Sequence, residues 1–304
     1  MGRFRIQGEG IGPRNGGRGM VIGDHLRSKK QRVSRLIAPM SDLVPLPQSL
    51  SLLRSLLTDP VVEVSKLVPV VEKDTALTAA LLRLCNSAQF GLQRKVGSVK
   101  EGLVLIGNVP FLKLAISVGM TGIFRPKMPG YGLQKEDLWA HCLATAHAAS
   151  EIVKGIGHPE LEGRAFPAGL LHDVGMIVLD EPLVRHREQG RAVENQETRD
   201  MEQDATGVDR DEVGAALVEL WKFPEALVNA VRWHHDPQTS RDFGPLVVAV
   251  HAGERIARAA GIGADGVTSD DPLESLEDLG IPASIYEDLR DRLPTITRNL
   301  QGIV

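Results

Sequence analysis

The chain has 304 residues, 42% hydrophobic and 24% charged, with a formal net charge of −4 and only 4% aromatic residues. That length allows one large domain or two lobes, with an ordinary soluble balance. It argues against nucleic-acid binding, which wants an overall basic footprint and, for single strands, stacking platforms. Cys85 and Cys142 form no Cys-x-x-Cys pair, so a disulfide framework is not expected and a reducing cytoplasm is the simplest home. No apolar run reaches the roughly 18–20 residues that span a bilayer, so no membrane partner is expected. Met1-Gly2-Arg3-Phe4-Arg5 has no apolar stretch behind it, so no secretory signal is expected.

Residues 1–36 are rich in glycine and scattered arginine (Arg3, Arg5, Arg14, Arg18, Arg27, Arg32, Arg35) and read as a disordered basic tail. The rival reading is a basic arm for an acidic partner. Leu43-Val44-Pro45-Leu46-Pro47 reads as a rigid extended lead-in to a helix over 50–57. Val61, Val64 and Val68 suggest a second helix, which Pro69 kinks or ends. Leu77, Ala80, Leu81 and Leu84 give i, i+3, i+4, i+7 spacing for a third, with Asp74 as its N-cap and Asn86-Ser87 at its end. Further helices are expected at about 98–106, 109–122, 137–154, 164–173, 211–221, 225–235, 245–260 and 281–292. Val174 to Leu179 reads equally as a short strand or the next core helix. Residues 185–206 and 263–275 look solvated. The fold class is all-α, a two-lobed helical bundle: an N-terminal lobe over 37–125 and a C-terminal lobe with the last helices over 126–304.

Several of these helices carry an unusual tenant on the face that should pack inward. His141 shares a stripe with Leu138, Thr145, Ala148 and Ile152, and Asp173 follows Phe166, Gly169 and Leu170. His234 follows Leu227, Ala230 and Val231, and His251 and Glu254 follow Val247 and Val250. His251 by itself reads as a satisfied core histidine. Together these groups must find protons, counter-charges or an ion, because each unpaired buried charge costs several kcal/mol. Imidazole and carboxylate suit a divalent ion such as Mn, Fe, Zn or Mg. His141, His172, Asp173 and Glu254 could hold one and leave positions open for an activated water and a phosphate oxygen. The chain has no Gly-Lys-Ser/Thr phosphate loop and no Gly-x-Ser-x-Gly elbow.

The pair His172-Asp173 with an upstream histidine and a downstream acid resembles the HD superfamily of metal-dependent phosphohydrolases. The surrounding text resembles one branch, the HDOD (HD-related output) domain of bacterial signalling proteins. The matching pieces include Leu43-Val44-Pro45-Leu46-Pro47, the run from Lys73 to Gly91, Leu138-Trp139-Ala140-His141, the run from Ala165 to Gly175, Trp221-Lys222-Phe223-Pro224 and His234-His235-Asp236-Pro237. They run in order over residues 43–257. The resemblance implies an all-helical fold with an HD-like C-terminal lobe and a regulatory role rather than a demonstrated reaction. It also implies the ligand set His141, His172, Asp173 and a last acid. That last acid is usually aspartate and here is Glu254, whose extra methylene displaces the carboxylate. Arg210 stands where two-metal relatives tend to carry histidine; a guanidinium cannot coordinate a cation and would repel a second ion. It could clamp a phosphate or pair with Asp173 or Glu254. His234-His235 resembles the adjacent histidines of the HD-GYP phosphodiesterases, but no Gly-Tyr-Pro follows.

The reading that follows is a cytoplasmic regulatory domain acting by contact with other signalling proteins. Arg210, His234 and His235 would be polar core or ligand contacts, and one divalent ion or a small phosphorylated ligand would be bound. The alternative is a single-metal phosphohydrolase acting on a nucleotide or phosphate ester, with Arg210 or His235 steadying the phosphate.

Overall fold

A computed structural model describes residues 28–39, 57, 63–87, 90–121, 123, 127–191, 198–239, 244–263 and 273–303. These residues are almost wholly helical, as the apolar spacing demands. The lead-in at 43–47, most of the helix expected over 50–57 and residues 264–272 lie outside them.

The first described helix, α1, covers 28–39 and corrects the expectation of a tail up to residue 36. Val33, Leu36 and Ile37 form a short i, i+3, i+4 stripe that packs on the core, and Lys29 Nζ meets Glu212 Oε1 at 2.8 Å. The glycine-rich composition of residues 1–27 hides that stripe when the segment is read as a whole.

Four helices follow: α2 (Val64–Val71), α3 (Thr75–Cys85), α4 (Val99–Ile106) and α5 (Asn108–Thr121). Pro69 lies inside α2 without ending it. Asp74 caps α3 by accepting from the Leu77 amide at 3.0 Å. The Asn86 side chain donates to the Leu82 and Val96 carbonyls at 2.8 and 3.0 Å and accepts from the Val96 amide at 2.8 Å, so it ties the helix end to the next loop. Gly107, at φ 75°, lets the chain turn through 117° between α4 and α5. Two-residue strands β1 (Lys127–Met128) and β2 (Leu133–Gln134) then pair antiparallel, with Lys127 opposite Gln134.

Helix α6 (Lys135–Gly155) is the axis of what comes after. It starts with a capping box between Gln134 and Asp137 and packs against α7 (Glu162–Leu171), α12 (Pro245–Ala259) and α14 (Ala283–Ile303). The close approaches have a simple cause. Gly169 on α7 faces Ala146, where an added Cβ would sit 2.7 Å from its Cα; Gly253 on α12 faces Thr145 and Ala149, at 3.0 Å from each. Small residues at these crossings bring two helices close onto α6 over the turns that follow His141.

The remaining helices are α8 (Gly175–Glu188), α9 (Thr198–Thr206), α10 (Arg210–Leu220), α11 (Glu225–Trp233) and α13 (Leu273–Asp278). Val174 to Leu179 is therefore helix and not strand. The segment expected to be solvated, 185–206, instead contains the end of α8 and all of α9, which buries Met201 and Glu202. The last helix runs to Ile303, past the expected end near 292, with Pro294 inside it. Among the described residues no single helix is long and apolar enough to cross a membrane.

Candidate metal centre

Two pairs of site residues lie just beyond a helix C-terminus. His172 and Asp173 follow α7, and His234 and His235 follow α11. The last carbonyls of a helix have no partner within it. Here a histidine takes one in each case: Nδ1 of His172 donates to the Gly169 carbonyl at 2.7 Å, and Nδ1 of His234 donates to the Val231 carbonyl at 2.8 Å. His141, on α6, donates from Nδ1 to the Ile262 carbonyl at 2.8 Å. A carbonyl only accepts, so each Nδ1 carries its proton and each neutral ring turns a bare Nε2 inward.

Those nitrogens converge. His141 Nε2 and His172 Nε2 are 3.2 Å apart. Asp173 Oδ2 lies 3.3 Å from His172 Nε2 and 3.8 Å from His141 Nε2. The donor atoms of His141, His172 and Glu254 lie within 4.8 Å of one another, as do those of His172, Asp173 and His234. His234 Nε2 is also 4.0 Å from Glu254 Oε2. His141, His172, Asp173 and His234 are all 0% exposed and Glu254 is 3% exposed. The groups singled out in sequence thus form one interior cluster, which the packing of α6, α7, α11 and α12 assembles.

Charged side chains pack around it. Arg210 Nε meets Glu202 Oε1 at 2.7 Å and its amide donates to Glu202 Oε2 at 2.9 Å; Nη1 reaches Met176 Sδ at 3.2 Å and Asp173 Oδ1 at 3.6 Å. Tyr131 donates to Glu202 at 2.8 Å and lies beneath the guanidinium, 5.3 Å from ring centre to Cζ. Arg210 is therefore held inside the protein, as the pairing with Asp173 requires, with Nε and Nη1 directed at Glu202, Met176 and Asp173. His235 bridges Asp211, at 2.9 and 3.0 Å from Nδ1, and Glu254 Oε1, at 3.4 Å from Nε2. Arg258 holds Glu254 at 2.8 and 3.1 Å. His251 donates to the His234 carbonyl at 2.6 Å, a satisfied histidine as its sequence context suggested.

Protonation follows from burial and neighbours. Burial, aided by the nearby His172, lowers His141 to about 4, and burial with the adjacent His235 lowers His234 to about 4. Burial also opposes charge on His172, but Asp173 beside it outweighs that and raises it. Asp173 is held well below the usual carboxylate range: burial is overcome by His172 and Arg210. Glu254 is likewise held low, its burial overcome by His235. His235 is pushed up to about 10, because Glu254 and Asp211 outweigh its desolvation.

A proton on His172 Nε2 would satisfy His141 Nε2 and Asp173 Oδ2 together. It leaves His234 Nε2 without a partner, and neither oxygen of Asp173 has a conventional hydrogen bond. The two overlapping donor sets, His141 with His172 and Glu254 and His172 with Asp173 and His234, fit a divalent cation better than a single proton does. Glu202, Asp211 and Arg258 were missed in the sequence. Asp211 adjoins Arg210 but looks like a helix-start acid, and Glu202 sits in a segment whose composition resembles solvent-exposed chain.

The HDOD domain family matches residues 43–237. The chain belongs to the HDOD family. Among solved structures, it resembles a protein from Marinobacter aquaeolei VT8, provisionally described as a signal transduction protein. The TM-score is 0.69 at 20% identity, over 92% of this chain and 64% of that one. It also resembles a protein from Shewanella amazonensis SB2B, provisionally described as a phosphohydrolase, with a TM-score of 0.65 at 25% identity, over 88% and 95% of the two chains. An uncharacterized protein of Treponema pallidum is 27% identical over 231 residues, 74% of this chain and 44% of that one, so this HDOD chain spans less than half the length of that relative.

Proposed function

We propose that this HDOD protein is a signalling output module that acts by contact with other signalling proteins, as a cytoplasmic protein, and that its HD-type centre is a closed core held by one divalent ion. The observation that carries the reading is the complete burial of His141, His172, Asp173 and His234. A catalytic ion needs a position open to water and substrate, whereas a structural ion is enclosed by its ligands. The ligands would be His141, His172, Asp173 and Glu254, with His234 as a further nitrogen; such an ion would supply Lewis acidity and local charge. Around it, Arg210 and Glu202 fix Asp173, and His235 and Arg258 fix Glu254. The signalling role is supported by the family and by the description of the Marinobacter relative, and residues 37–125 and 126–304 would be its two lobes.

The test is metal analysis of the purified chain, with melting curves before and after chelation and with phosphatase and phosphodiesterase assays in added Mn, Fe, Mg and Zn. We expect bound metal, a lower Tm after chelation, and no turnover. Metal-dependent turnover abolished by Asp173→Ala would overturn the contact reading. It would favour the second one, a single-metal phosphohydrolase for a nucleotide or phosphate ester, for which the donor set and the partly open His235, with 19% side-chain exposure, are the supporting observations. Well-folded protein without metal would overturn the ion.

A further inference from the structure

Helix α1, the end of α8 and the end of α9 line an open cleft of about 360 Å³. Its walls carry Arg32, Arg35, Arg185, His186, Arg191 and Thr206. The chain as a whole is at −4, so this local excess of cations is not a consequence of bulk composition. Among the described residues Arg32, Arg35 and Arg191 have no ion-pair partner, and Arg185 reaches only Glu181, at 3.9 Å, with both side chains exposed. Several unpaired guanidinium groups around one concavity repel each other, a cost that an anion would remove.

The floor of the cleft supplies an independent observation. His186 is only 9% exposed, and its Nε2 is buried with no hydrogen-bond partner. A buried ring nitrogen without a partner is destabilising, and its natural complement is a ligand atom. We propose that this cleft is a binding site for a phosphate-bearing small molecule, of nucleoside di- or triphosphate class. Arg32, Arg35, Arg185 and Arg191 clamp the phosphates, and His186 Nε2 donates to an inner oxygen. Arginine is suited to this work because its planar fork matches two phosphate oxygens at once. The cleft volume is at the small end of the range typical of cofactor and ligand pockets. The site is separate from the metal centre, and it gives α1 a role: the helix brings two of the four arginines, so occupancy would fasten α1 to α8 and α9.

The experiment is titration calorimetry on the full chain with pyrophosphate and with ATP, in magnesium-free buffer at low salt. Saturable binding is expected that weakens about tenfold or more in Arg35→Ala/Arg191→Ala, two exposed positions whose loss leaves the fold intact. His186→Gln is expected to weaken it by a smaller factor. Raising the salt should lower the affinity of the wild type more steeply than that of the double variant. Three results would overturn the proposal. One is absence of saturable binding of either probe at millimolar concentration. Another is binding unchanged in the double variant but lost in Asp173→Asn, which would move the ligand to the metal centre. The third is a wild-type affinity that added salt does not lower, which would exclude a clamp of arginines.

Discussion

Replacing Arg210 by methionine tests the electrostatic logic of the core most directly. Arg210 is 2% exposed and Glu202 is 0% exposed, and they are joined at 2.7 Å with a further bond from the Arg210 amide to the same carboxylate at 2.9 Å. Methionine keeps much of the aliphatic volume and removes the charge. Glu202 then retains the Tyr131 hydroxyl and the Arg210 amide but loses its counter-ion, and Asp173 loses the cation at 3.6 Å. Breaking one side of a buried pair costs about 3–5 kcal/mol, chiefly because an uncompensated charge stays inside. The two remaining bonds to Glu202 put Arg210→Met toward the lower end, about 3 kcal/mol. Adding Glu202→Gln removes the stranded charge, so the double variant should recover about half of that loss instead of adding to it. Urea unfolding of the four proteins at pH 7, followed by far-UV circular dichroism, gives the cycle. If Arg210→Met costs under about 1 kcal/mol, or the two losses simply add, Arg210 and Glu202 are not the coupled buried pair described above.

Other consequences are more local. Gly169→Ala should cost about 3 kcal/mol or more, because its methyl would meet Ala146 Cα at 2.7 Å and push α7 from α6. Gly163→Ala on the same helix, with its nearest neighbour at 3.7 Å, should be neutral or stabilising by up to about 1 kcal/mol. Equal melting shifts for the two would refute the close-approach argument. Burial lowers His147 to about 4, from an ordinary value of 6.5. The unfolded chain therefore takes up the proton first: the stability is fully present above pH 6.5 and falls as pH drops toward 4. Between pH 7 and 5 the loss from this residue should be about 1–2 kcal/mol, allowing for partial contact with water. His147→Gln should flatten that limb of a stability-against-pH curve, and an unchanged slope would exclude the residue as its source. Arg258→Met should weaken retention of metal by the centre, because Glu254 loses its anchors at 2.8 and 3.1 Å; competition with a chelator measures it, and unchanged retention would remove Glu254 from the ligand set.

The sequence alone determined the helical class, most of the helices around the site and the interior character of its residues. Apolar spacing marks α3, α6 and α12 because a helix with one buried face must repeat at 3.6 residues; His141 and Glu254 fall on such faces, and His172, Asp173 and His234 lie just past the ends of α7 and α11. Local chemistry likewise marked Asp74 as a cap. What only the tertiary structure decided was which donors meet and which way each ring turns. The carbonyls that fix His141 and His172 belong to Ile262 and Gly169, one of them 121 residues away in the chain. Glu202 and α1 carried no interior signal, since a short amphipathic stripe inside polar or glycine-rich text is indistinguishable from solvated chain until a partner surface covers it. Closure of the centre was equally invisible: burial belongs to packed helices, and no single helix can state what will lie across it.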